Sequence, residues 1–131
     1  LGLSWRLATQ LAGWPEASPA LRRWARLGAA LWMAQAAFGA LSGSGHWSAA
    51  PVAHMVLALV AGSCSLGVGM AARRQGHRVD GTGLLSMTGL QFALAAAAAG
   101  SAAAPAWVLL HNIGAALGLA LMLGLGRRAE S

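Results

Sequence analysis

Two histidines stand where water would not reach them. His54 lies in "APVAHMVLALV" and His111 in "LLHNIGAALG", each an imidazole inside an apolar run. Ionisable groups within such runs are costly and are usually kept for a function. A neutral imidazole offers one ring nitrogen as a ligand and keeps an N–H for a second partner. Gln35, Gln91, Asn112 or a backbone carbonyl would serve as that partner. Small residues follow each histidine at helical spacing: Ala58, Ala61, Gly62, Ser65 and Gly69 after His54, and Gly114, Ala115 and Gly118 after His111. Positions i+3, i+4 and i+7 share one side of a helix, and small side chains there leave a flat slot. A porphyrin suits such a slot, with one imidazole donating to its iron from each face. Three readings stay open on these residues: haem ligation by His54 and His111, close small-xxx-small helix packing with hydrogen-bonded histidines, and another metal or a quinone. Zinc fits poorly, because Cys64 lies ten residues beyond His54, about 15 Å along a helix. The single cysteine also excludes an internal disulfide and a CxxC site.

The elements that must carry these residues are membrane spans. Hydrophobic residues make up 57% of the 131, charged residues 9%, and the mean hydropathy is +0.60, which describes a chain built for a bilayer. Four stretches approach the roughly 20 residues needed to cross one: 24–41, 52–72, 83–104 and 106–125. The first is the least clean, since Arg26 must snorkel from its start. The expected fold is all-α, a transmembrane four-helix bundle over residues 18–131 preceded by a short interfacial segment, 1–17. In that segment Leu3, Leu7, Leu11 and Trp14 recur at helical spacing, the pattern of a helix lying on a membrane surface. Ser18 followed by Pro19 predicts an N-cap and first helical residue.

All nine basic residues are arginines, and they precede the first span, separate the second from the third, or follow the fourth. The loops "SGSGHWSAAP" and "GSAAAP" hold no charge. The positive-inside bias then puts both termini on the cytoplasmic side of the inner membrane and the uncharged loops outside. The net charge of +6 is a topology signal: the arginines sit at membrane edges and are not gathered with aromatics into a groove, which argues against nucleic acid. Anionic lipid headgroups are the better match. His46, beside Trp47, is expected at the outer interface, and His77 in "ARRQGHRVD" is expected to be solvated.

The halves of the chain repeat. Gln35 answers to Gln91, Pro51 to Pro105, His54 to His111, and Arg73–Arg74 to Arg127–Arg128, at offsets of 54 to 57 residues. Each unit is a helical hairpin with a glutamine on its first helix and a histidine early on its second. Two such hairpins about an axis along the membrane normal run the histidine helices in one direction. His54 is three residues past its proline and His111 six, an axial difference of roughly 4.5 Å.

"MAQAAFGALSGSG", "APVAHMVLALV" and "LQFALAAAAAGSAAAPAWVLLHNIGAALGLAL" together resemble one four-helix half of the haem A synthase family, over about residues 30–125. The resemblance implies b-type haem held axially by His54 and His111. It also implies a glutamate, and often a cysteine pair, in the first outer loop, where this chain has neither. The acids Glu16, Asp80 and Glu130 all fall on the expected cytoplasmic side. That departure removes the general acid of a haem-modifying enzyme and favours a haem carrier or one-electron relay. The expected cofactor site is therefore His54, His111, Ala58, Gly62, Gly114, Gly118, Gln35 and Gln91, holding haem b. The partners expected are membrane lipids and other integral-membrane subunits or further copies of the chain. A cofactor-free accessory or assembly subunit of a respiratory or photosynthetic complex is the alternative.

Overall fold

The structure, a computed structural model, describes residues 17–101 and 104–127. The expected interfacial helix lies outside these residues except for Ala17. Among the described residues are four helices: α1 (Pro19–Ser44), α2 (Ala50–Arg74), α3 (Arg78–Gly100) and α4 (Pro105–Arg127).

Local chemistry sets their ends. Ser18 caps α1, its Oγ accepting from Leu21 N at 3.2 Å, with Pro19 in the first turn as expected. Gly45, at φ 69°, closes α1 in the left-handed conformation that glycine adopts without a Cβ clash. At the end of α2, His77 N donates to Ala72 O at 2.9 Å and Gly76 N to Arg73 O at 3.2 Å, with Gly76 at φ 91°. This pair of bonds is a Schellman motif. It starts α3 at Arg78 and α3 ends at Gly100, a few residues before the upper edge of the expected third span. Arg26, expected to reach for headgroups, donates through Nε to Gly126 O at 3.2 Å. It thereby bonds a carbonyl in the last described turn of α4, where a cation also suits the helix dipole.

Consecutive helices pack side by side, and α1 closes the ring against α4. The result is a four-helix bundle of two hairpins with α2 and α4 running the same way. Among the described residues, α2, α3 and α4 are long and apolar enough to cross a membrane; α1 carries Arg22, Arg23 and Arg26. The protein is a membrane protein by these three helices, and large apolar side chains such as Val52, Met55, Leu59 and Leu109 point outward from them.

The core is concentrated at one end. Leu21, Ala25 and Ala29 of α1, Val68 and Ala72 of α2, Leu84 of α3, and Met122 and Leu125 of α4 form one buried cluster. All lie toward the arginine-bearing ends of their helices. Toward the histidine end the aliphatic packing gives way to polar groups and open space.

Candidate functional site

Trp32, Gln35, Ser65, Thr88 and Gln91 are buried where the core stops. Trp32 Nε1 donates to Ser65 Oγ at 2.8 Å, and Ser65 Oγ donates in turn to Ala61 O at 2.8 Å. Thr88 Oγ1 donates to Leu84 O at 2.8 Å. Beyond this belt each glutamine ties its hairpin to the histidine of the next helix. His54 Nδ1 donates to the backbone O of Gln35 at 2.8 Å. With the proton on Nδ1, Nε2 carries the free lone pair, and Gln35 Nε2 donates to it at 3.3 Å. In the second hairpin Gln91 Nε2 donates to the backbone O of His111 at 3.0 Å. His111 Nδ1 and Gln91 Oε1 are both buried without a hydrogen-bond partner.

The two histidines line one cleft. It has a volume of about 670 Å³ and lies along the seam between α1 and α4, with His54 reaching it from α2. His54 is the fifth residue of α2 and His111 the seventh of α4, so their offset along the axis is about 3 Å. The α1 wall is Ala36, Gly39, Ala40 and Gly43, and the α4 wall includes Asn112, Ala115, Ala116 and Leu119. Gly39 is required by the histidine: a Cβ there would come within 2.9 Å of His54 Cε1.

At the opposite seam, α2 and α3 are bridged by a ring. Phe92 of α3 lays its ring on Gly62 of α2, 2.6 Å from where a Cβ would stand. Trp32 makes the corresponding contact at Gly118, 3.0 Å from a Cβ position. In the repeat, position 92 answers to position 36, which is alanine. One hairpin therefore sets a phenyl ring at this level of its seam, where the other has an alanine methyl beside the cleft. Between the two, at the bundle centre, a cavity of about 40 Å³ is lined by residues of all four helices, among them Gln35, Ala58, Gly62, Gln91 and His111.

The expected site residues thus divide. His54, His111 and Gln35 meet at the cleft; Ala58, Gly62 and Gln91 belong to the small central cavity; Gly114 and Gly118 receive Gln91 and Trp32 as close-packing positions. Ala115 of α4, one of the small residues read after His111, is on the cleft wall, and with it stand the α1 residues Ala36, Gly39, Ala40 and Gly43. Their spacing of i, i+3, i+4 and i+7 in "MAQAAFGALSGSG" is a signal of the same kind as the one read after the histidines.

His46 is exposed and its Nδ1 donates to Ser44 O at 2.8 Å, while Trp47 packs on Phe38 with ring centroids 5.4 Å apart. The expectation for His77 needs correction: it is 3% exposed, and both ring nitrogens are buried without a hydrogen-bond partner. The Schellman motif explains this, because the second residue past a helix end is folded back against the last turn. Cys64 is half-buried, its Sγ 3.9 Å from Trp24 O. Among the described residues no three His, Cys, Asp or Glu side chains gather as a metal site.

No family model, curated protein or solved structure matches the chain.

Proposed function

We propose that the protein is a small b-type cytochrome-like membrane subunit that holds one haem b in the α1–α4 cleft and serves electron transfer or haem handling within a larger membrane complex. The observation that carries this reading is the convergence of His54 and His111, from two different hairpins, on a single cleft of about 670 Å³. That volume falls among the roughly 300–1,000 Å³ of cofactor pockets. The donor set also fits: the Gln35 carbonyl holds the proton on His54 Nδ1 and leaves Nε2 basic, the arrangement in which a backbone acceptor fixes an imidazole ligand.

His54 and His111 would hold the haem iron through their ring nitrogens, and Gln35, which contacts both His54 ring nitrogens, would position the His54 imidazole. Ala36, Gly39, Ala40 and Gly43 would line the haem pocket. Asn112, beside His111 on the cleft wall, is placed for a polar substituent. The core end of the bundle and the Trp32–Ser65 bond fix the helices that carry these groups and keep water away from the inner wall. A bound haem would supply reversible one-electron chemistry at iron, its potential tuned by burial and imidazole hydrogen bonding.

The test is the absorption spectrum of the detergent-solubilised protein expressed with haem available. A Soret band that shifts on reduction is expected, and H54A and H111A should each abolish it while preserving helical circular dichroism. A folded wild type without the band, or a band indifferent to both substitutions, would refute the proposal. The second reading, a cofactor-free accessory subunit, draws on the 3.3 Å contact between Gln35 Nε2 and His54 Nε2, by which the first hairpin satisfies its own histidine. A colourless, stable preparation would favour it.

A further inference from the structure

At the arginine-bearing end of the bundle an open groove of about 480 Å³ is lined by Met70, Arg73 and Arg74 of α2 and Arg78 and Leu85 of α3. We propose that it binds the headgroup of an anionic phospholipid, with the phosphate among the three guanidinium groups and an acyl chain along Met70 and Leu85.

Three observations combine in this assignment. Arg73 and Arg74 end one apolar helix and Arg78 begins the next, so the groove lies at headgroup depth where two membrane-crossing helices meet. Among the described residues none of the three guanidinium groups is hydrogen-bonded or ion-paired, while Asp80, the nearby acid, has an interaction of its own. The helices are also locked together just beneath. A Cβ on Gly81 would stand 2.5 Å from Gly69 O and 2.6 Å from Arg73 Cγ, so the stem of Arg73 is laid across the junction before any ligand arrives. Guanidinium forks suit phosphate oxygens, and the apolar floor continues in the direction that acyl chains run. A free phosphate would use the arginines and leave Met70 and Leu85 without a role.

Native mass spectrometry of the full chain, released from micelles holding equal phosphatidylglycerol and phosphatidylcholine, tests this directly. Retention of phosphatidylglycerol should exceed that of phosphatidylcholine by about tenfold or more, and each arginine replaced should lower it about fivefold at low ionic strength. The R73Q/R74Q/R78Q variant should lose the preference, whereas R23Q, an exposed arginine of α1 at the same end, should keep it. If the triple variant does not fold, R74Q and R78Q are read singly for the fivefold loss. Equal retention of the two lipids, arginine variants that behave as wild type, or displacement of phosphatidylglycerol by millimolar inorganic phosphate would each overturn the assignment. The haem spectrum is independent of all these outcomes.

Discussion

Gly39 governs how His54 can sit. Because the imidazole occupies the place of its missing side chain, G39A should push the ring off the Gln35 carbonyl. We expect haem affinity, read by titration of the Soret band, to fall about 10- to 100-fold while helicity is retained. The Trp32–Ser65 bond belongs to the same scale. S65A leaves the buried Trp32 N–H without an acceptor, and should cost about 1–3 kcal/mol in an unfolding titration. W32F, which removes the donor and leaves Ser65 bonded to Ala61 O, should cost less through this bond. The two histidines could be read from the sequence because an imidazole among aliphatics is conspicuous in any window. Gly39 could not, since its importance comes from a side chain on another helix. His77 was misread for a related reason: arginine neighbours suggest solvent, but the turn geometry that buries the ring depends on the φ of Gly76.

Helix ends and helix contacts are decided one level up. Proline after serine, glycine at the two left-handed positions and the arginine runs all mark boundaries that the structure places close to the expected spans. What composition does not reveal is which glycines face a neighbour. Gly81 and Gly69 bring α2 and α3 to backbone contact, and G81A should force them apart at a cost of about 1–3 kcal/mol. G89A, where a Cβ would meet nothing within 4 Å, is the matched control and should be neutral or slightly stabilising. Gly76→Ala acts through backbone strain instead, since φ 91° is unfavourable for a residue with a Cβ by roughly 1–2 kcal/mol; urea-independent thermal scans in the same micelle would rank the three. The histidine-bearing helices show small-residue faces in the sequence; Gly62, Gly114 and Gly118 of those faces receive neighbouring side chains, Ala115 reaches the cleft, and α1 supplies the other wall. A pattern on one helix names a face without naming what lies opposite.

The molecule as a whole has a packed end and an open end, and the open end is open on one side. That polarity follows from where the large side chains are spent: Leu, Val and Met near the arginines, alanine and glycine near the histidines. The positive-inside expectation gives it a direction in the bilayer. Single cysteines introduced at positions 44 and 127 of a Cys64→Ala background should be labelled by an impermeant maleimide from opposite sides of the membrane, position 44 from outside; exchange of the two sides would reverse the orientation, and labelling of both from one side would refute the topology. Filling the cleft is the complementary experiment. A36F copies into the first hairpin the ring that the second already has, and should abolish haem uptake with little change in the thermal midpoint.

The difference between Ala36 and Phe92 at matching repeat positions also makes the two flanks of the bundle unlike. With a phenyl ring on one flank and a methyl group on the other, the roomier approach is the one beside α1 and α4, and a haem taken up as proposed would enter there. Neighbouring subunits of the proposed complex could then cover the Phe92 flank and leave that approach free.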